Sequence, residues 1–294
     1  MHHSIAVLPW LTTVLLAAAL GGCAPQTDGD DDRSAGSSLT IGDLPDEFAA
    51  AFPSSFTQYG SVFGVHVFAT SATPEEKVRH TIHVLAQYLD NDEDGEADNP
   101  AVVAQMTGGS EPAAMLLAAT EDELEASGLF DSDVLDGLGP QGLYGDEIHP
   151  GGSSDQGGFD ATLEEVLHLV TARGYSPTYP EDLGEQSGST LTDAMDLARG
   201  GHFEDVPSSY PDGAWYHYDD TTCDYLCMAT EYFYWALTSM LGAQDYPGRC
   251  EEIAIEWEPC TRALVESMDP AVFALLSDPR WSLPTVLPDG SYTP

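Results

Sequence analysis

From Tyr225 to Leu241 the chain is aromatic or aliphatic at nearly every position, with one charged residue, Glu231, near its middle. A helix that is apolar all round has to be buried. The carboxylate it carries inward is then costly unless it is paired, protonated or bound to a metal. The usual partner is scarce here, because 8 Lys and Arg stand against 50 Asp and Glu. A metal ion or a histidine is therefore the expected partner of Glu231, with a buried Tyr hydroxyl or a helix cap as the alternative.

The formal net charge of −42 carries its own exclusions. Such a surface repels nucleic acid and anionic membranes and favours cations. Concentrated salt would screen its self-repulsion, which suits a halophilic or marine setting. The chain is not an acidic disordered polymer, since aromatic residues are 10% of it.

A second helix is legible in Gly157-Gly158-Phe159-Asp160-Ala161-Thr162-Leu163-Glu164-Glu165-Val166-Leu167-His168-Leu169-Val170. Asp160 is placed to cap it by accepting from an N–H near Leu163. Leu163, Val166, Leu167 and Val170 form one apolar stripe, while Glu164 and His168 lie one turn apart on another face. Arg173 and Gly174 provide a cation and a residue tolerant of positive φ, the usual helix ending.

Glu164-Glu165-Val166-Leu167-His168 resembles the zincin metallopeptidase motif H-E-x-x-H with Glu in place of the first His. The resemblance implies Glu164 and His168 as metal ligands and Glu165 as the general base acting on water. A carboxylate in the first position is a harder ligand than imidazole, so the metal preference can differ from zinc. In gluzincins, notably the anthrax lethal-factor type, a Glu on a later helix completes the metal set. Glu231-Tyr232-Phe233-Tyr234-Trp235-Ala236 is similar to that Glu-led aromatic helix.

Ile5 to Gly22 is an uncharged apolar run ending in Leu20-Gly21-Gly22-Cys23. It resembles a bacterial lipoprotein signal peptide, although the n-region has His2 and His3 and no Lys or Arg. The resemblance implies cleavage after residue 22, lipidation of Cys23 and anchoring at the outer membrane or cell surface of a bacterium. A flexible, Asp-, Gly- and Ser-rich tether over 23–40 follows. The remaining 41–294 is expected to form the domain, a sheet-containing half over 41–158 and a helical half over 159–294.

Beyond Cys23 the cysteines are Cys223, Cys227, Cys250 and Cys260. In an exported protein they suggest two disulfides, with three possible pairings. A single helix over 248–268 would hold Cys250 and Cys260 about 15 Å apart, forcing each to pair with Cys223 or Cys227. Pro259 can break that helix, so the pairing stays open, as does a tetrathiolate zinc site.

Ser61 to Ala69 alternates and is rich in β-branched residues, which predicts a strand with His66 as a cross-strand side chain. A helix follows from Thr73-Pro74-Glu75 through Leu89, with His80 and His83 read as surface or packing residues. It runs into Asp90-Asn91-Asp92-Glu93-Asp94-Gly95-Glu96-Ala97-Asp98. Asp90, Asp92, Asp94, Glu96 and Asp98 put hard oxygens around one point, and Gly95 permits the sharp turn, as in a calcium loop. Ala101 stands where an EF-hand has its bidentate Glu, so the run is closer to the D-x-D-x-D-G-x-x-D loops of thrombospondin type 3 modules. Pro112 to Ala119 reads as a buried strand, Glu121 to Ser127 as a short helix and Gly142 to His149 as an edge strand. A helix near Leu191–Arg199, with Thr190 as cap, and two tail helices, Ile253 to Met268 and Ala271 to Leu276, complete the pattern.

The expected fold is therefore α+β and zincin-like, a small mixed sheet and an active-site helix followed by a helical C-terminal half. The expected function is a metal-dependent hydrolase acting on peptide or protein, with Glu164, His168 and Glu231 as ligands and Glu165 as base. A divalent metal, zinc among the ions such a set accepts, and calcium at 90–98 are the expected cofactors. His202, His217 and Tyr218, in aromatic- and Gly-rich surroundings, are second-tier site residues. The competing expectation is a non-catalytic, calcium-stabilised binding lipoprotein.

Overall fold

Residues 39–154 and 157–294 are described by a computed structural model. The segment expected to be a signal peptide, Cys23 and nearly all of the expected tether lie outside the described residues. Among those described, no helix is long and apolar enough to cross a membrane.

A short helix α1 (Asp46–Ala49) precedes the first strands. The alternating run read as one strand over 61–69 is a hairpin, β1 (Phe56–Val62) and β2 (Val65–Thr70). The turn is Phe63-Gly64, both at positive φ, 49° and 89°, as a tight two-residue hairpin turn requires. Phe63 hid it, because a bulky aromatic is an unusual choice there. Then come α2 (Glu75–Leu89), α3 (Pro100–Thr107), β3 (Ala113–Ala118), α4 (Glu121–Ala126) and β4 (Gly139–Tyr144). The edge strand thus lies earlier than 142–149, and the chain leaves it in a 3₁₀ turn at Gly145–Glu147.

The sheet order is β1-β2-β3-β4, with β1–β2 antiparallel and the other two pairs parallel. Every residue of β3 is buried, as expected of a strand covered on both faces. Phe68, Leu116 and Ala118 pack with Phe52, Phe56 and Leu129 on one face. Val67, Met115 and Leu117 point the other way, into the large core shared with α2 and the C-terminal helices.

The second half opens with α5 (Thr162–Val170). It does not end at Arg173–Gly174 but passes through a π-helical turn, Thr171–Tyr175, into α6 (Ser176–Thr178). Gly174 serves packing instead, since a Cβ there would lie 2.6 Å from Val102 Cγ1. α7 (Thr190–Ala198) is capped by Ser189 rather than Thr190, in a reciprocal capping box with Thr192. α8 (Tyr225–Leu241) starts at Asp224, which accepts from the Cys227 N–H at 3.0 Å, and ends at Gly242 with φ 88°. α9 (Arg249–Ile253), α10 (Arg262–Met268) and α11 (Pro270–Leu276) complete a mixed α+β architecture.

The long helix expected over 253–268 is absent, and no single helix runs over 248–268 to hold Cys250 and Cys260 apart. The chain turns between α9 and α10 around fully buried Trp257, whose indole N–H donates to Ser239 Oγ and the Pro259 carbonyl, both at 3.0 Å. Cys250 and Cys260 therefore meet with Cα atoms 5.4 Å apart, and Cys223 pairs with Cys227 at the same separation. The pairing is local at both sites, which removes the cross-pairing and the tetrathiolate zinc alternative.

Candidate metal centre

Helices α5 and α8 bring the two acidic signals of the sequence together, and the start of α5 is fixed first. Asp160 Oδ1 accepts from the backbone N–H of His149 at 3.0 Å and of Thr162 at 3.2 Å, and Oδ2 lies 2.7 Å from His80 Nε2. The Leu163 N–H bonds the Asp160 backbone carbonyl at 3.0 Å, so the cap acts one residue earlier than expected. His80, read as a surface or packing residue, is 5% exposed and is the partner that burial of Asp160 requires.

With the helix so placed, Glu164, His168 and Glu231 converge. One ligand atom from each lies within 4.8 Å of the others. His168 is 5% exposed, and its Nε2 has no hydrogen-bond partner among the described residues. The nearest acceptor is Glu231 Oε2 at 3.5 Å, too far for a good hydrogen bond. Two atoms each ~2.1 Å from a tetrahedral ion stand roughly 3.4 Å apart. An orphaned imidazole nitrogen facing the Glu231 carboxylate at about that separation, with Glu164 within 4.8 Å, fits a divalent cation, and the group could hold one.

The surroundings orient the group. Glu165 Oε2 lies 3.5 Å from His168 Nδ1 and accepts from Gln141 Nε2 at 2.6 Å, the carboxylate–histidine arrangement common around metals. The Tyr218 hydroxyl donates to Glu231 Oε1 at 3.2 Å, so Glu231 has both the tyrosine and the histidine that burial suggested. The Tyr234 ring meets His168 edge-on at 5.5 Å, and its hydroxyl favours the ionised form of Glu164. Gln244 Nε2 donates to Tyr234 Oη at 3.3 Å and its Oε1 accepts from Arg249 Nε at 2.8 Å.

Charge crowding sets the protonation. Burial, then the charges of Glu231 and Glu165, raise the Glu164 pKa well above the ordinary carboxylate value. Burial pulls His168 down, but the carboxylates of Glu231 and Glu165 outweigh it and hold the imidazole well above its usual value. The metal-free cluster thus keeps protons that a bound cation would displace. Glu185, which accepts from Thr230 Oγ1 at 2.8 Å, is raised to about 7 by burial. With His168, Gln141 and Glu231 it lines a cavity of about 30 Å³.

A larger cavity of about 240 Å³ opens in front of the cluster, with Glu164, Glu165, Tyr218 and Glu231 in its wall. Burial, then nearby carboxylates, push Glu147 and Glu256 in the same wall to about 7.

The acidic loop after α2 converges only in part. Asp90, Asp92 and Asp98 bring oxygens within 4.8 Å of one another, while Asp94 and Glu96 stay outside that group. Asp94 Oδ1 instead accepts from the Glu96 N–H at 2.9 Å. Asp90 is fully buried and accepts from the N–H of Asp94 at 3.1 Å, of Gly95 at 2.8 Å and from Tyr292 Oη at 2.5 Å. Asp98 Oδ2 accepts from the Asn91 N–H at 2.7 Å.

Of the second-tier residues, only Tyr218 touches the cluster. His202 is held between Asp196 and Glu204, 2.7 Å from each, and His217 Nε2 bonds the Ala214 carbonyl at 2.8 Å. Tyr234, three residues after Glu231, was legible from helical spacing. Gln141, Gln244 and Arg249 were not, because the topology alone brings them in. Searches against protein-family models, curated proteins and solved structures find no match for this chain.

Proposed function

We propose that the protein is an exported, lipid-anchored metal-dependent hydrolase, most simply a peptidase, with a zincin-like active-site helix. The observation that carries this reading is the buried, unpartnered Nε2 of His168 facing the carboxylates of Glu164 and Glu231. These three residues would hold a divalent metal, with zinc among the fitting ions. When bound there, such an ion supplies Lewis acidity and makes water a better nucleophile at neutral pH. Glu165 lines the same cavity and would take the proton from the attacking water, with Gln141 fixing one of its oxygens. The Tyr218 hydroxyl orients Glu231, and Tyr234 orients Glu164. Calcium at Asp90, Asp92 and Asp98 would brace the loop that follows α2.

A second reading, a non-catalytic binding lipoprotein, is favoured by one feature. Glu165 is engaged by both Gln141 and His168, as a carboxylate with a purely orienting role would be. Two variants separate the readings. His168→Ala should abolish stoichiometric metal binding in equilibrium dialysis. Glu165→Gln should keep the metal and lose hydrolysis of a mixed peptide library. Metal binding by the native protein with no cleavage of any peptide would leave the second reading standing.

A further inference from the structure

The cavity in front of the cluster has a charge that a single divalent ion does not neutralise. Glu164 and Glu231 would face the metal, yet Asp146, Glu147, Glu165, Glu252 and Glu256 belong to the same lining. Besides His149, the basic side chain in that lining is Arg249, already 3.2 Å from Glu252 and stacked 4.6 Å from the Phe159 ring centroid. Glu147 Oε2 is buried and has no hydrogen-bond partner among the described residues. Burial and neighbouring carboxylates raise Glu147 and Glu256, and the positive charge of Arg249 offsets this only in part at Glu256.

The rest of the lining indicates what kind of cation fits. Phe159, Trp235, Ile253 and Ile255 give apolar wall, suited to an aliphatic stem rather than to a hydrated inorganic ion. Trp235 is 6% exposed, and its Nε1 has no acceptor among the described residues. A buried indole N–H normally has one, and a peptide carbonyl would supply it. A cavity of about 240 Å³ has room for one long side chain.

We infer that the cavity is a specificity pocket for a lysine or arginine side chain of a peptide bound beside the metal cluster. Glu147 and Glu256 receive the cationic head, and Trp235 packs on the stem and donates to the backbone. The assignment rests on the hydrolase reading for its peptide ligand, but it can be tested by binding alone.

The probes are acetylated, amidated pentapeptides, Ala-Ala-X-Ala-Ala with X as lysine, arginine or norleucine, and the norleucine peptide with a free N-terminus. They are titrated into the full-length, zinc-supplemented Glu165→Gln protein at fixed ionic strength, with Trp fluorescence and calorimetry as readouts. The lysine and arginine peptides should bind at least about tenfold more tightly than acetylated norleucine, the scale of one desolvated charge pair. Glu147→Gln combined with Glu256→Gln should erase that preference while circular dichroism stays native. Equal binding of lysine and norleucine peptides, or no binding of any, overturns the inference. So does tight binding of norleucine only when its N-terminus is free, because the pocket would then recognise an α-amine. Metal dialysis in parallel keeps the two ideas apart. A lysine preference without bound metal would refute the hydrolase and keep the pocket, and bound metal without the preference would do the reverse.

Discussion

Glu185→Gln should stabilise the metal-free protein, and only at neutral or alkaline pH. Glu185 is 7% exposed, and burial raises its pKa from 4.5 to about 7 against the pull of Thr230, His168 and Arg173. At about 1.4 kcal/mol per pH unit, this places roughly 3 kcal/mol of penalty on the ionised form in the fold. The sign follows from proton counting. Between pH 4.5 and 7 the folded state keeps a proton that the unfolded chain releases, so this group's contribution falls as pH rises and is fully adverse above about 7. Glutamine occupies the same space, can accept from Thr230 Oγ1 as the carboxylate does, and carries no charge to desolvate. The expected gain is ~1–3 kcal/mol at pH 8 and near zero at pH 4.5.

The assay is urea unfolding of native and variant protein at both pH values, with chelator present and salt constant, so that the −42 charge is equally screened. The melting temperature at pH 8 should rise by roughly 2–4 °C per kcal/mol for a chain of this size. Equal destabilisation at both pH values would refute the reasoning, since it would mean that Glu185 is ionised and paired with the His168 cation. Metal affinity is the internal control. Glu185 is not among the converging ligand atoms, so the variant should bind metal as the native protein does.

Metal binding should release at least one proton at pH 7, because both Glu164 and His168 hold protons more tightly than usual; calorimetry in buffers of different ionisation enthalpy measures it, and zero release would contradict those directions. Replacing both Cys250 and Cys260 by serine should cost about 2–3 kcal/mol for the short loop they close, and should loosen the wall formed by Arg249, Ile253 and Glu256, read as faster hydrogen exchange over 249–260. His80→Ala leaves Asp160 buried with only backbone donors and should cost about 3–5 kcal/mol; a loss under 1 kcal/mol in urea unfolding would show that the pair is not ionic. Calcium should raise the melting temperature at constant ionic strength through Asp90, Asp92 and Asp98, and Asp92→Asn should abolish the rise.

The α+β class, the buried third strand, the two long helices and the convergence of Glu164, His168 and Glu231 were legible because each rests on a local pattern. Periodicity fixes which face His168 shares with Glu164, and an apolar helix fixes that Glu231 is inside. What was hidden depends on non-local contacts or on residues that break a local rule. Phe63 occupies a left-handed turn position and so concealed the hairpin. The π turn after α5 reflects tertiary packing of Gly174 against α3, which no sequence signal announces. The break between α9 and α10 is set by Trp257 finding Ser239 on α8, a contact 18 residues away. The acidic loop shows the limit of spacing arguments, since Asp94 meets its own backbone rather than the shared point.

The scarcity of basic residues gives the cluster its meaning, because the other buried carboxylates show how this chain manages without them. Asp269 accepts from Tyr232 Oη at 2.6 Å, Trp215 Nε1 at 2.8 Å and the Val272 N–H at 3.2 Å. Asp90 is met by two backbone N–H groups and Tyr292, and Asp160 by two more and His80. Backbone N–H groups, Tyr and Trp donors and, for Asp160, one histidine satisfy each of these at short range, which is why none needs Lys or Arg. Even the deeply buried Arg199 is directed at the Phe203 carbonyl and aromatic rings. Glu231 departs from that pattern. Its one hydroxyl donor stands at 3.2 Å, and its other oxygen faces an unpartnered imidazole nitrogen at 3.5 Å. The fold satisfies Asp90, Asp160 and Asp269 so fully that this gap between two helices stands out among its buried carboxylates. Two carboxylates and an imidazole so placed could hold a divalent cation.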